Sequence, residues 1–216
     1  MVRIVAAALL LAVGYTLGAS GSVPELWRQL QGGSGESAPQ AAPAIVPCAE
    51  AQSALAPVTG VEYSYKRPPA ERLVPARILS ITDGDTFRAL IGSKNVSIRM
   101  ADYDSPERDQ PYGSAATDEL RRLLAVGGAV QLEDRGSGGF GRTAARVFVG
   151  DVDVNFEMVR RGAGWFDPEY AKDEELYLVE NAARDGKVGL WALPLENRIE
   201  PWVWRGMSKE QKKRRR

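Results

Sequence analysis

LVPARILSITDGDTFRALIGSKNVSIRMADYDSPE, residues 73–107, sets the fold. Leu73–Ile81 alternates apolar and polar positions and is β-branched; Thr86–Ile91 follows a tight Asp-Gly turn; Asn95–Tyr103 follows Gly92–Ser93. Three such runs joined by short turns predict a β-meander. Downstream, Ser114–Ala125 (SAATDELRRLLA) puts Ala116, Leu120, Leu123 and Leu124 on one face, the spacing of an amphipathic helix. Ala129–Glu133 and Ala145–Val149 read as two further strands around the glycine-rich segment Gly136–Gly141. Asp153–Arg161 reads as a helix with Val154, Met158 and Phe156 inward. Lys172–Ala183 reads as another, with Leu176, Leu178, Val179 and Ala182 inward and Gly186 as a stop. Five strands with a helix between the third and fourth match the strand order of an OB-fold. The expectation is therefore an α+β, β-rich chain: a five-stranded OB-fold barrel with three helices, its contacts gathered on one concave face.

The flanks differ from this body. Arg3 precedes the unbroken apolar run Ile4–Val13, and small and polar residues follow to Ser22. That is the layout of a secretory signal peptide, with a cleavage point near Gly18–Ser20. Extended through Leu17, the run also approaches the lower limit of a single spanning helix. Both alternatives export the domain, so the expected location is secreted, periplasmic or anchored to the membrane by the N-terminal segment. Residues 32–44 (GGSGESAPQAAPA) have tether composition, and Lys209–Arg216 is a basic run of the kind that forms a solvated, disordered end. The expected division is residues 1–22 signal peptide or anchor, 23–70 flexible linker, 71–205 the OB-fold domain and 206–216 a basic tail.

Composition narrows the chemistry. The 216 residues hold no histidine and one cysteine. Imidazole bases and ligands, disulfide frameworks and cysteine-ligated zinc are thereby excluded. Cys48 lies too far beyond the apolar run to be a lipoprotein cysteine, and no catalytic role is assigned to it. Lys+Arg and Asp+Glu balance at 28 each, which argues against a globally basic nucleic-acid coat protein but not against a local basic face. The remaining chemistry must run on carboxylates, guanidinium groups, hydroxyls, backbone groups and a hard metal.

One constellation fits that description. Asp83-Gly84-Asp85-Thr86 lies between the first two strands; Arg99 sits on the third, followed by Asp102, Asp104 and Glu107, with Pro106 stiffening the turn. Carboxylates crowded at one strand end raise each other's pKa unless cations neutralise them. In a meander, Asp85 and Asp104 meet. With the Ser105 carbonyl and waters they form an all-oxygen site suited to Ca2+ or Mg2+, and one unlike an EF-hand. Arg142 ends a glycine-rich loop able to project a guanidinium at a phosphate. Metal-binding acids, a spare carboxylate and two arginines are the parts that phosphodiester hydrolysis requires.

The chain resembles the staphylococcal nuclease-like (thermonuclease) family. The shared pieces run in order: ITDGDTF (81–87), the run from Arg99 to Glu107, YGSAA (112–116), FGR (140–142), VRRGAGW (159–165), KVGLW (187–191) and PWVWR (201–205). Each is weak alone; the ordered set over residues 73–205 is specific. The resemblance implies the OB barrel with three helices and a Ca2+-dependent nuclease acting on DNA, RNA or both, with 3′-phosphate products. It implies Asp85, Asp104 and the Ser105 carbonyl as metal ligands, Asp83 as the residue ordering the metal loop, and Glu107 as general base or water-positioning group. It implies Arg99 and Arg142 as phosphate-binding groups that stabilise the five-coordinate transition state. Phe140 stands where the family has a tyrosine facing the substrate phosphate, Gly139 where it has a lysine, and Tyr170 is the base-stacking partner left in the segment 165–170. Weaker substrate binding with intact chemistry is the expected consequence, and a monomer is expected. Two other classes compete: a non-catalytic OB module that holds single-stranded nucleic acid or a protein at the cell surface, and a Ca2+ site that only stiffens an extracellular domain. Retention of nucleic acid without turnover would mark the first; metal-dependent melting without hydrolysis would mark the second.

Overall fold

The computed structural model describes residues 65–215. The expected leader, most of the linker and Cys48 lie outside the described residues. Among the described residues no helix is long and apolar enough to cross a membrane.

Five strands form the body: β1 (Val74–Ile81), β2 (Thr86–Ile91), β3 (Lys94–Met100), β5 (Ala129–Ser137) and β6 (Thr143–Val149), the last paired also with the two-residue β7 (Val152–Asp153). β1 pairs antiparallel with β2 and β5, β2 with β3, and β5 with β6. Parallel pairing of β3 with β6, Ile98 opposite Thr143 through Met100 opposite Ala145, then closes the sheet into a barrel. Closure leaves no long edge for foreign strands to extend. Period-two alternation fills the interior: Val74, Ala76 and Ile78, then Phe87, Ala89 and Ile91, then Val96, Ile98 and Met100, with Val130, Leu132, Ala145 and Val147, are all buried in one cluster.

The helices α1 (Gly113–Leu123), α2 (Val154–Arg160) and α3 (Glu175–Asp185) are the expected three, and the short α4 (Pro201–Gly206) and α5 (Lys209–Lys213) follow. α1 seals the barrel with Ala116 and Leu120, and Leu124 just beyond it is buried with them. α2 starts at Asp153, whose carboxylate accepts the Phe156 amide at 3.1 Å. A second, smaller core of Trp165, Ala183, Leu190 and Trp191 lies under α3, the two indoles edge to face at 4.4 Å.

Three expectations are corrected. The third strand does not run on to Tyr103: it ends at Met100, and Asp102 takes a left-handed φ of 69° that turns the chain out of the barrel. Tyr103 and Asp104 then form a separate short strand, β4, paired with β8 (Trp165–Phe166), Asp104 opposite Trp165. In α3 the buried face is Leu176, Val179, Glu180 and Ala183, and Leu178 is exposed. The helix begins at Glu175 rather than Lys172, because the Lys172 amide is drawn to the Asp102 carboxylate at 2.8 Å and the Asp173 carboxylate accepts the Glu175 amide at 3.1 Å. The basic end is ordered into α5 by a capping box between Ser208 and Gln211, although it remains on the surface.

Candidate active site

Four segments converge at one mouth of the barrel. The β1–β2 turn supplies Asp83 and Asp85, β3 supplies Arg99, β4 supplies Asp104, and the loop after it supplies Ser105 and Glu107. The turn is held from below by Tyr103, whose hydroxyl donates to the Gly84 carbonyl at 2.9 Å. Gly84 is required there: a Cβ at this position would lie 2.0 Å from the Ser105 hydroxyl oxygen. Within the turn the Asp83 carboxylate accepts the Asp85 amide at 3.2 Å.

Asp85 and Asp104 are both buried and share one cation. Arg99 donates through Nη1 to Asp85 Oδ1 at 2.7 Å and through Nη2 to Asp104 Oδ1 at 2.5 Å. Asp85 also accepts the Thr86 hydroxyl at 2.8 Å and, on Oδ2, the Ser105 amide at 2.8 Å. Burial pushes the Asp85 carboxyl up to about 7; Arg99 opposes the shift, while Asp83 and Asp104 add to it. Against the cost of its own burial, Asp85 and Asp104 push the Arg99 guanidinium further above its ordinary value.

Glu107 sits at the rim with its side chain 37% exposed. Its backbone is clamped: the amide donates to Gln110 Oε1 at 3.0 Å, and a Cβ on Gly113 would lie 1.9 Å from its carbonyl oxygen. Its carboxylate meets Arg205, to which sequence reading assigned no role. Arg205 Nη1 donates to Glu107 Oε1 at 2.8 Å, and Nη2 donates to Asp104 Oδ2 at 2.6 Å. The only sequence signal for Arg205 was its place in PWVWR, 98 residues from Glu107; no local spacing predicts such a contact.

Asp85, Arg99, Asp104, Arg205 and Glu107 thus form a continuous chain of ion pairs. Arg142 stands outside it. This residue lies on the β5–β6 loop, half-buried, with Nε donating to the Gly139 carbonyl at 3.3 Å and its guanidinium 5.7 Å from the Phe140 ring centroid. The loop packs on the strand of Arg99, since a Cβ on Gly138 would approach Arg99 Cβ to 3.0 Å. Phe140 is fully exposed and Tyr170 largely so. Asp102 departs from the cluster altogether: it turns inward to the Lys172 amide and towards Arg146, 3.6 Å away.

Among the described residues no three carboxylates close into a metal-ligating group. Asp85 and Asp104 are two, and a hard cation here would draw its other ligands from a backbone carbonyl and water. The donor set nevertheless suits such an ion: all-oxygen, buried, and including a carboxyl that burial and two neighbouring carboxylates push up to about 7. Added positive charge at this point relieves both burdens.

A buried carboxylate pair bridged by an arginine thus lies at the mouth of a closed five-stranded barrel. Residues 97–193 match the model of the staphylococcal nuclease homologue family. A protein of Escherichia coli O157:H7 named an uncharacterized endonuclease is 35% identical over 133 residues, covering 61% of this chain and 85% of that one. An uncharacterized endonuclease of Haemophilus influenzae is 37% identical over 136 residues, 62% and 74% of the two chains, and a micrococcal nuclease of Shigella flexneri is 34% identical over 143 residues, 61% and 80%. The chain belongs to the staphylococcal nuclease homologue family.

Proposed function

We propose that this protein is a Ca2+-dependent nuclease that hydrolyses phosphodiester bonds of DNA, RNA or both. The observation that carries the reading is the convergence of Asp85, Arg99, Asp104 and Glu107, drawn from three strands or turns and one loop, on a single solvent-facing mouth. Asp85 and Asp104, with the Ser105 carbonyl, would hold the cation. When bound, the cation neutralises charge developing on a phosphoryl oxygen. Arg99 already spans the two carboxylates and presents its remaining N–H groups to the same phosphate, and Arg142 reaches it from the neighbouring glycine-rich loop. Glu107, the accessible carboxylate, takes a proton from the attacking water as its oxygen bonds to phosphorus. The bond to the leaving 5′-oxygen breaks, and that oxygen is protonated from solvent. Tyr170 offers a face for a nucleobase, as exposed aromatics do in single-strand binders, and Phe140 contacts the substrate on the phosphate side. The apolar run Ile4–Val13 supports an exported enzyme, freed by cleavage or retained at the membrane.

The test is digestion of DNA and RNA by the purified chain, side by side. Cleavage is expected with Ca2+, lost on chelation and restored by Ca2+. Glu107→Ala and Arg142→Ala should each lower kcat roughly 10²–10³-fold. Full activity in EDTA contradicts the metal assignment; binding without turnover at millimolar Ca2+ favours a non-catalytic module.

A further inference from the structure

Arg205 is not among the groups the hydrolysis above uses, yet it touches two of them. We propose that Arg205 is a positioning residue of this site: a forked cation that ties the Glu107 carboxylate to the metal-binding Asp104 and so aims the proton acceptor. The inference rests on the nuclease reading and adds to it a residue from the far end of the chain.

The geometry of Glu107 requires such a tie. Its carboxylate stands on a loop at the rim, and among the described residues it takes its one hydrogen bond from Arg205. An unrestrained glutamate samples several rotamers, and a general base must be held to within a fraction of an ångström of its working position. Arg205 is built to do this. Its two terminal nitrogens reach different carboxylates, Nη1 to Glu107 at 2.8 Å and Nη2 to Asp104 at 2.6 Å, with a second, longer bond from Nη1 to Asp104 Oδ1 at 3.3 Å. A lysine would carry the charge without that planar fork.

Arg205 is itself braced. The neighbouring Trp204 is fully buried, and its indole N–H donates to Asp109 Oδ1 at 2.9 Å. Gln110 donates to the Ile199 carbonyl at 2.5 Å while its Oε1 accepts the Glu107 amide. The C-terminal segment therefore holds the 105–113 loop three times, through Trp204 at Asp109, through the Ile199 carbonyl at the Gln110 side chain and through Arg205 at the Glu107 side chain. The Arg205 side chain is 47% exposed, and ion pairs that open to water add little stability. Holding the fold together is thus a weak account of this arrangement, and positioning is a strong one.

The experiment compares R205Q and R205K in the full chain, alone and combined with E107Q, by steady-state cleavage and by calorimetric titration with Ca2+ alone. R205Q should lower kcat about 10- to 100-fold and leave KM within about twofold, the signature of an effect on chemistry. Added to E107Q, it should cost nothing further, because Arg205 acts through Glu107. Calorimetry should show Ca2+ binding R205Q roughly tenfold more tightly, since a like charge beside Asp104 is gone. R205K should bind Ca2+ as the native protein does but regain only part of kcat, which separates charge from fork. Native kcat in R205Q, a full additional loss in the E107Q background, or an unchanged or weaker Ca2+ affinity overturns the inference. Should the native chain fail to cleave, the nuclease reading falls and calorimetry alone decides whether Arg205 sits on Asp104.

Discussion

Arg146 lies on β6 with its side chain fully buried, and three carboxylates answer it. Asp153 is 2.7 Å away, Asp173 2.6 Å and Asp102 3.6 Å, while the Tyr65 ring covers the guanidinium at 3.6 Å. Removing one member of a buried ion cluster leaves the others unpaired in a medium that solvates them poorly. Arg146→Met should therefore destabilise the protein by about 3–5 kcal/mol, read as a lower urea midpoint with an unchanged slope; a loss under about 1 kcal/mol would mean that water reaches the cluster. The contrast with the candidate site explains what a sequence can disclose at this scale. Asp85, Arg99, Asp104 and Glu107 were legible because each lies within a short motif whose strand geometry fixes its direction. Asp102 stands two positions from Asp104 and was grouped with it. Its φ of 69° sends its carboxylate to the opposite side, and nothing local announces that reversal.

Helix α3 shows the next limit. Hydrophobicity placed Leu178 inward, but the helix is turned so that Glu180 is buried instead, 3% exposed at its side chain. Tertiary demand decides this: Glu180 accepts the Phe166 amide at 3.1 Å, which satisfies an end of the short β4–β8 ladder beside the site, and pairs with Arg184 at 3.4 Å. Burial pushes the Glu180 carboxyl above its ordinary 4.5, while Arg184 and the Phe166 amide pull it back only in part. A carboxyl with a raised folded-state pKa holds its proton more tightly folded than unfolded. Its contribution favours folding below 4.5 and declines as pH rises through the folded-state value. Glutamine cannot titrate, so Glu180→Gln isolates the effect. The melting temperature of the native protein should rise relative to Glu180→Gln as pH is lowered from 7 towards 4.5; a difference that stays constant over that range would remove Glu180 from the account. The boundaries of β2 and α1 were readable to within two residues because pattern and packing agree there, as they do not in α3.

Closure of the barrel is what assembles the site. The parallel pairing of β3 with β6 places Arg99 opposite Ala144, which brings the glycine-rich loop against the strand bearing the guanidinium. Strand count and order follow from the spacing of five apolar runs, and with them the meeting of Asp85 and Asp104. The contribution of the C-terminal α4 does not follow, since its contacts to Glu107 and Asp109 cross 98 and 95 positions. A site built from such distant segments exists only in the folded chain, so an ion that binds it stabilises the folded state by mass action. At one hundred times its dissociation constant, Ca2+ should add about 2.7 kcal/mol, or roughly 5–10 °C in melting temperature for a domain of this size. The shift should grow with the logarithm of Ca2+ concentration and vanish in Asp104→Asn, which keeps the shape but removes the charge. A native melting temperature indifferent to Ca2+ would leave Arg99 and Arg205 as the sole counter-charges of Asp85 and Asp104, and the metal would drop out of the mechanism.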